Sequence, residues 1–544
     1  MSNPFIDQLE LQTAPGPDAA IIVEETQKEI DHGLAGPACS REHFDAVYGR
    51  GCWRPLPRHI VHQNGKHRPI DDGRRAGHNA AVRLTETIAC QTSEFIVLAT
   101  RCLVRQVAER QAEAHTSVEH SLPHHWPSWL RPVVGVEDMW KGFRQNHPTV
   151  ADRALCVVTF VGPDRQRRYH QLHGLPFGLG AVVNQFNRAP LLFTSALRRS
   201  LSLASAHYFD DNAAVDLQCV AAMTKLTVIR VFKLFGVKLS DDKRKRMKAI
   251  QTFLGLITDM ARLPFEHSFV YGSKPSTRAK AVTLLVQALQ SRSMTPAQAS
   301  KIRGVVGWLD TGLFGRPCRG LLGTFSARQY WEHSDDWLLT SDLELACKVL
   351  KAMVQDTPDR LVMTFRRISH PLAIYTDAAA QGLDMRIGLL LLRAHSFALC
   401  FSVDVPEEVL AQWQLRKQYI TQGELLAGPL AMACFQQELA GQSVLWFVDN
   451  QAALTAMLKG SSPVQDNSKM ALVLSLHLAR YQVACWFEFV DSSANPADPL
   501  SRDGYEDAKV RSLLATGAWR AARFPRGIDW RSLLSADTEV FKDI

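Results

Sequence analysis

Two adjacent carboxylates, Asp210 and Asp211, are the sharpest chemical feature of the sequence. They lie between two apolar runs of β character, so we predict a hairpin whose turn presents both acids. Like charges side by side are unfavourable unless a cation offsets them. An isolated pair of this kind is most often a solvated turn, so the segments around it decide its interpretation.

Two segments upstream have the order that a phosphoryl-transfer site needs. An apolar strand ends at Asp138, and Phe143 follows five residues later. A turn then leads into a predicted helix at about Val182, and it reads Leu175-Pro176-Phe177-Gly178. Two-metal phosphoryl transfer needs carboxylates from separate strand ends that converge on ions roughly 3.5–4 Å apart. An acid at the end of one strand, together with acids at the turn of a hairpin, therefore predicts such a site.

Residues 54–260 resemble the fingers and palm of a reverse transcriptase, of the kind found in long-terminal-repeat and tyrosine-recombinase retroelements. Asp138 matches that family's first metal-binding acid. Tyr208, Asp210 and Asp211 match its Y-x-D-D motif. The resemblance implies that the three acids bind metal and that Tyr208 contacts the substrate.

The resemblance also implies a nucleotide pocket. Phe143 matches the aromatic residue that blocks a ribose 2′-hydroxyl, which makes the substrate a deoxynucleotide. The turn residues that would face the incoming base pair are Pro176, Phe177 and Gly178. Lys66 and Arg68 match a fingers motif that grips the triphosphate, where arginine forks onto phosphate and lysine acts as a point charge. A solvated turn is the alternative for these two.

Two positions leave alternatives open. Glu137 precedes Asp138 where the family usually has Asp-Leu-Lys, so Glu137 competes as the ligand, and the spacing to Phe143 favours Asp138. Lys243 lies in a segment that resembles the family's lysine loop, where it would protonate the leaving pyrophosphate. A nuclear-localisation patch over residues 243–246 and a wet surface are the other interpretations of Lys243.

A second set of acids lies in the last third of the chain. Asp377 ends a predicted strand over residues 372–375, Asp449 follows another over residues 444–448, and Glu424 opens a predicted helix. Asp498 lies in a turn. Acids at neighbouring strand ends, joined by one from a facing helix, can bind metal ions that activate water against a phosphodiester. Each acid also has an ordinary interpretation, such as a helix N-cap at Asp449-Asn450.

As an ordered set, these four acids resemble the ribonuclease H domain of retroelement polymerases. That family has the contexts T-D-A, E-L-A, D-N and A-D-x-L-S-R, and here Glu424 is followed by Leu-Leu-Ala. No histidine lies between residues 484 and 497, where some members carry a mobile one. The resemblance implies cleavage of the RNA strand of an RNA–DNA hybrid. It also implies two Mg²⁺ ions in each of the two sites, with Mn²⁺ as an alternative.

The elements that must position these acids indicate a multidomain chain of α/β and α+β class. We expect a right-hand polymerase with fingers, palm and thumb, followed by a ribonuclease H-like domain. The expected segments are a mobile N-terminal arm (1–40), fingers and palm (41–262), a mainly helical thumb or connection (263–370), the ribonuclease H-like domain (371–505) and a C-terminal tail (506–544). Helical periodicity over residues 276–291, 295–309 and 343–354 supports the third of these.

The length and composition of the chain limit the number of domains and the classes of partner and site that we expect. A chain of 544 residues is long enough for two to four domains. A net charge of +8 is compatible with a nucleic-acid partner, although many soluble enzymes are as basic. Eleven cysteines without a C-x-x-C pair argue against a disulfide framework and a structural zinc site. No secretory signal or membrane span is visible, which predicts an intracellular protein of the cytoplasm or nucleus.

The expected function is RNA-directed DNA synthesis with ribonuclease H cleavage. The expected partners are an RNA template, a DNA primer, the RNA–DNA hybrid and deoxynucleoside triphosphates. One alternative is a catalytically inactive, retroelement-derived nucleic-acid-binding scaffold, which the seven intact acids disfavour. Another is an RNA-templated RNA polymerase, which Phe143 disfavours.

Two further patterns are interpreted as structural. The triplet Asp310-Thr311-Gly312 occurs in aspartic proteases, but here it follows a helical segment instead of an apolar strand. A group of histidines lacks paired cysteines and is assigned to a loop between fingers and palm: His115, His120, His124 and His125.

Overall fold

The structure is a computed structural model of the chain. It describes residues 4–63, 65–88, 90–114, 127–330, 337–364, 371–381, 384–393, 398–413, 418–524, 530 and 533. The histidines at positions 115, 120, 124 and 125 lie outside the described residues, as do parts of the expected C-terminal tail. The chain divides into two compact units, Met1–Phe253 and Leu254–Ile544.

The first unit combines helices with two sheets. Its helices are α1 (Pro4–Glu10), α2 (Ala19–Asp31), α3 (Arg41–Tyr48), α4 (His78–Ala81), α5 (Glu94–Ala114), α6 (Gly180–Leu201) and α7 (Ala221–Leu234). Its strands are β1 (Pro55–Gln63), β2 (Lys66–Asp71), β3 (Pro132–Asp138), β4 (Val157–Val161), β5 (Arg167–Gln171), β6 (Ala204–Tyr208), β7 (Asp211–Leu217) and β8 (Ile250–Phe253).

The two sheets of this unit have the orders β2-β1-β4-β5 and β3-β7-β6. The second is antiparallel, and β6 and β7 form the predicted hairpin. Helix α6 contributes Phe186, Phe193 and Leu197 to the core, at the spacing that places side chains on one helical face. The acids therefore lie at the end of a sheet supported by a packed helix.

Residues 4–40, which lie in the segment predicted as a mobile arm, are partly helical. They contain α1 and α2, and α2 buries Ile22, Thr26 and Glu29 along one face. These side chains recur every three or four residues, so a helix presents them together, here toward β1 and β2. The break at Pro15-Gly16-Pro17 precedes α2 and does not prevent it from packing.

The second unit contains a helical part and a larger sheet. Its helices are α8 (Leu263–Glu266), α9 (Pro275–Ser291), α10 (Pro296–Leu309), α11 (Leu322–Gln329), α12 (Ser341–Asp356), α13 (Glu407–Leu410), α14 (Ile420–Cys434), α15 (Gln436–Leu439), α16 (Gln451–Lys459), α17 (Gln465–Arg480), α18 (Asp498–Arg502) and α19 (Ala508–Ala515). Its strands are β9 (Leu256–Asp259), β10 (Ser268–Ser273), β11 (Arg360–Met363), β12 (Leu372–Gln381), β13 (Asp384–Leu392), β14 (Ala398–Asp404), β15 (Ser443–Val448), β16 (Ala484–Phe489) and β17 (Trp519–Ala521).

The larger sheet has the order β16-β15-β12-β13-β14-β17. One of its faces packs on α14 and α17 through residues such as Leu389, Trp446 and Leu430. Leu472 and Leu476, also on α17, belong instead to the core that α9, α10 and α12 form. The helical part and the sheet therefore share α17, which explains why they form one compact unit.

The predicted helices over residues 276–291, 295–309 and 343–354 are confirmed as α9, α10 and α12. A capping box between Thr295 and Gln298 fixes the start of α10. The strand predicted over residues 372–375 is longer, because β13 pairs with β12 as far as Gln381. Asp377 consequently lies within a strand and does not end one.

The Asp310 triplet is structural in this fold. Asp310 is buried in a turn directly after α10, and its Oδ1 accepts a hydrogen bond of 2.9 Å from the Cys318 backbone N–H. Among the described residues, none of the helices combines the length and apolar character that a membrane crossing requires.

Candidate functional site

The β6–β7 hairpin brings the first three acids together. Asp211 begins β7 and pairs with Asp138, the last residue of β3. The Met139 backbone N–H donates a 2.9 Å hydrogen bond to the Asp210 carbonyl, which joins the turn to the strand end. Phe209 in this turn has a φ of 51°, a left-handed conformation that costs a non-glycine residue about 1 kcal/mol. Packing of Phe209 against the core compensates for that cost.

The Asp138 carboxylate already has partners within the chain. The Lys243 ammonium lies 2.7 Å from each of its oxygens, and the Ser240 hydroxyl donates a 2.6 Å hydrogen bond to Oδ1. Lys243 is half exposed, so this pair is accessible to water. Lys243 is therefore a counter-ion of the acidic turn in this structure, and not part of a separate wet surface.

Burial and mutual repulsion shape the electrostatics of this site. Burial, followed by the charges of Asp210 and Asp138, raises the pKa of Asp211 to about 7. Burial also raises the pKa of Asp210, and Lys243 and Arg68 oppose that rise. Burial lowers the pKa of Lys243, but its contacts with Asp138 outweigh this effect and raise it. Oxygen ligands with surplus negative charge fit a hard divalent cation such as Mg²⁺ or Mn²⁺.

Glu137 is excluded from this group by the alternation of side chains along β3. Its carboxylate lies 3.1 Å from the Lys225 ammonium and 3.8 Å from the Arg244 guanidinium, and it is buried. The structure thus places Asp138 beside Asp211 and gives Glu137 different partners.

The aromatic residues of the predicted nucleotide pocket contact one another. The Phe143 ring stacks on Phe186 at a centroid distance of 4.3 Å and meets Phe177 edge-on at 5.4 Å. A Cβ added to Gly142 would lie 3.2 Å from the Asp210 Cβ, so the segment carrying Phe143 lies against the acidic turn. Phe177 is 39% exposed and can present its ring to a ligand.

The remaining residues of the predicted pocket occupy the surrounding elements. Lys66 and Arg68 are exposed on β2. Tyr208 is partly buried, with its ring edge-on to Phe209 at 5.0 Å. Pro176 is buried, and Gly178 has a φ of 132°. A Cβ at Gly178 would lie 2.1 Å from the Asp71 carbonyl oxygen, so the turn rests directly on the end of β2.

The register of the larger sheet brings two acids of the second set to one level. Tyr375 of β12 pairs with Phe447 of the parallel strand β15, and the same offset places Asp377 opposite Asp449. Glu424 reaches this level from α14, where its Oε1 accepts a 3.0 Å hydrogen bond from the Ala378 backbone N–H.

These three acids converge closely. One carboxylate oxygen from each of Asp377, Glu424 and Asp449 lies within 4.8 Å of the others. Among the described residues, Asp138, Asp210 and Asp211 do not form a group this tight. Gly423 makes the convergence possible, because a Cβ there would lie 2.6 Å from the sulfur of Met385.

Neighbouring hydroxyl and amide groups orient the carboxylates. The Ser501 hydroxyl donates to Asp377 Oδ2, and the Asn495 amide donates to Oδ1 at 3.3 Å. The Ser492 hydroxyl donates to Asp449 Oδ2 at 2.8 Å. None of these three residues was predicted from the sequence to belong to the site. Ser501 belongs to the A-D-x-L-S-R motif around Asp498, and Asn495 lies two residues before that motif, which was the available signal.

The N-cap alternative for Asp449-Asn450 involves only the second residue. Asn450 Oδ1 accepts hydrogen bonds of 3.0 Å from the backbone N–H groups of Ala452 and Ala453, which caps α16. The Asp449 carboxylate instead lines a cleft of about 330 Å³.

Asp498 lines the same cleft but is not part of the group of three. Both of its oxygens lie 2.9 Å from the Arg502 Nε. Asp498 begins α18, so Arg502 is one helical turn away and pairs with it across that turn. The structure therefore brings together three of the four predicted acids and places the fourth at the rim with its own cation.

The buried group carries excess negative charge. Burial raises the pKa of Glu424 well above its usual range, and the charges of Asp377 and Asp449 add to this rise. Burial raises the pKa of Asp377 to about 7. The hydrogen bond from Ser501 opposes this rise, and repulsion from Asp449 adds to it. Glu424 Oε2 is buried without a hydrogen-bond partner. An unpaired oxygen among repelling carboxylates fits Mg²⁺ or Mn²⁺.

No family model matches the chain, and no curated protein matches it. One similar solved structure is a foamy viral protease-reverse transcriptase dRH in complex with double-stranded DNA, with 14% identity, a TM-score of 0.43, and coverage of 88% of this chain and 71% of that chain. Another is a foamy viral protease-reverse transcriptase in complex with double-stranded DNA, with 12% identity, a TM-score of 0.42, and coverage of 88% and 84%.

Proposed function

We propose that the chain is an RNA-directed DNA polymerase of a retroelement that also cleaves the RNA of RNA–DNA hybrids. The observation that carries this proposal is the presence of two separate acidic sites. The first joins Asp138 to the Asp210-Asp211 turn. The second joins Asp377, Glu424 and Asp449. Residues far apart in the sequence form each site, and both sites suit phosphoryl chemistry.

In the first site, Asp138, Asp210 and Asp211 would hold the metal ions. When bound, two Mg²⁺ or Mn²⁺ ions lower the pKa of a primer 3′-hydroxyl and neutralise the leaving pyrophosphate. Lys243 lies 2.7 Å from Asp138, and at that position beside the metal-binding acids it would supply a proton to the leaving group. Metal binding requires Asp138 to exchange this ammonium for an ion.

The aromatic pair supports a deoxynucleotide substrate. Stacking on Phe186 fixes the Phe143 ring, and a fixed ring can exclude a 2′-hydroxyl sterically. Phe177 offers an exposed aromatic ring on which a base can stack. Arg68 and Lys66 on β2 provide the cations that a triphosphate needs.

In the second site, Asp377, Glu424 and Asp449 would hold the metal ions, with Asp498 at the rim. Ser501 and Ser492 orient two of these carboxylates through their hydroxyl groups. Arg502 pairs with Asp498 at the cleft and can contact a phosphate there. The proposed substrate is the RNA strand of the hybrid that the first site makes.

Primer extension tests the proposal. The full chain is given a homopolymer RNA template, a DNA primer and deoxynucleoside triphosphates, and Asp210→Asn is compared with Asp164→Asn. Asp164 is an exposed carboxylate that pairs with Arg168 in the same unit. We expect extension by the wild type and by Asp164→Asn, and a loss of at least about a thousandfold in Asp210→Asn.

Equal absence of product from the wild type and Asp210→Asn would favour the inactive scaffold instead. Equal incorporation of ribonucleotides and deoxynucleotides would favour an RNA polymerase.

A further inference from the structure

A closed network of buried charges lies beside the predicted nucleotide pocket. Glu29 of α2 binds two arginines, with 2.8 Å between its Oε2 and Arg58 Nη1 and 2.9 Å between its Oε1 and Arg144 Nε. Asp71 binds the same two arginines, at 2.9 Å from Arg58 Nε and 2.8 Å from Arg144 Nη2. All four side chains are at least nine-tenths buried.

This network holds the turn that carries Phe177. The Arg144 Nη1 donates a 2.8 Å hydrogen bond to the Leu175 carbonyl. The Phe177 backbone N–H donates to Asp71 Oδ2 at 3.0 Å, and the Phe177 carbonyl accepts from the Asp71 backbone N–H at 2.8 Å. The backbone on both sides of Pro176 is therefore bonded to the network.

The network also determines the position of Phe143, because Arg144 is the next residue. The negative charges of the two carboxylates balance the positive charges of the two guanidiniums, and all four groups are buried. Removal of Glu29 would leave two buried cations facing one anion, which is strongly unfavourable in a medium of low polarity. The arginines would then have to move, and Arg144 cannot move without affecting Phe143 or Leu175.

We propose that Glu29 is a positioning residue for the nucleotide pocket and that α2, which carries Glu29, contributes to the geometry of the polymerase site. Glu29 holds Arg144, and Arg144 with Asp71 holds the Phe177 turn so that the Phe177 ring meets Phe143 at a centroid distance of 5.4 Å. This inference rests on the proposed function for its kinetic consequence. It has a structural consequence that does not depend on activity.

The kinetic test compares Glu29→Gln with Glu24→Gln in the full chain. Glutamine preserves shape and removes the charge, and Glu24 is an exposed residue of the same helix that pairs with Lys28. We expect Glu29→Gln to raise the KM for the deoxynucleotide about tenfold while kcat changes less than about twofold. Glu24→Gln should match the wild type. A lower kcat with an unchanged KM would overturn the inference, because it would indicate only a loss of folded enzyme.

Hydrogen–deuterium exchange gives the readout without activity. In Glu29→Gln, the peptide covering residues 172–179 should exchange about fivefold faster than in the wild type, while Glu24→Gln leaves it unchanged. Unchanged exchange in Glu29→Gln would overturn the inference. Faster exchange in Glu29→Gln, together with a wild type that does not extend primers, would refute the proposed function and leave this inference standing.

A milder variant covers the case in which Glu29→Gln fails to fold. The Thr26 hydroxyl oxygen accepts a 2.9 Å hydrogen bond from Arg58 Nη1, and Thr26→Val removes that contact at nearly constant volume. We expect a smaller, about twofold, acceleration of exchange in the same peptide. No acceleration in this variant would contradict the inference.

Discussion

The two acidic sites differ in how their charges are balanced. In the first site, Asp138 ends a strand and is paired with the half-exposed Lys243 at 2.7 Å. In the second site, Asp377, Glu424 and Asp449 converge within 4.8 Å of one another. Glu424 Oε2 there is buried and has no hydrogen-bond partner.

The origin of the ligands explains this difference. The second group comes from two parallel strands and a helix packed on them, so the core that holds those elements also fixes the carboxylates. The first group comes from a strand end and a hairpin turn, where a flexible lysine can reach the acid. Core packing can therefore hold carboxylates together as a cation site without a counter-ion from the chain. At a turn, by contrast, a lysine of the same chain can reach the carboxylate and neutralise its charge. We expect the second site to bind a divalent ion more tightly in the absence of nucleic acid.

Glu424→Gln tests the independence of the two sites and has the largest expected effect. It removes the most buried ligand of the second group, so cleavage of an RNA–DNA hybrid should fall at least about a thousandfold. Paramagnetic resonance of Mn²⁺ should show the loss of the tighter site. Primer extension should remain, and Glu407→Gln, an exposed glutamate of the same unit, should change neither activity. Loss of extension in Glu424→Gln would show that the sites are not independent.

Lys243→Gln tests whether the lysine limits metal binding at the first site. In a Glu424→Gln background, removal of the ammonium from Asp138 should tighten Mn²⁺ binding at the first site about tenfold. Lys245→Gln, an exposed lysine two residues away, is the matched control. Isothermal titration would measure both dissociation constants. Equal constants for the two variants would mean that the pair does not oppose the ion.

Asp377→Asn tests the charge imbalance of the second site through pH. The folded pKa of about 7 lies above the usual value of 3.8, so the folded protein retains a proton that the unfolded chain loses. The stability that this proton provides is complete below pH 4 and is lost as the pH rises through 7. In chelator, Asp377→Asn should therefore melt about 3 °C higher than the wild type at pH 8.

The same two proteins should melt together at pH 3.5, where Asp377 is neutral in both the folded and the unfolded wild type. Scanning calorimetry would show the difference. An equal shift at both pH values would indicate a packing change and not the removal of charge.

Several local features were predictable from the sequence. The β6–β7 hairpin follows from two apolar runs around a polar turn, and the spacing to Phe143 favoured Asp138 over Glu137. Other features were not predictable. The extension of β12 past residue 375 depends on its pairing with β13, and the packing of α2 depends on β1 and β2. Partners that are distant in the chain decide both.

By itself, the sequence determined which acids are available, their order, and the strands and helices that carry them, because periodicity and turn chemistry act over a few residues. Only the tertiary structure decided the counter-ions. It paired Asp138 with Lys243 across 105 residues, and it joined Glu29 to Arg144 across 115 residues. Electrostatic effects depend on distance in space and on burial, and neither can be read from separation along the chain.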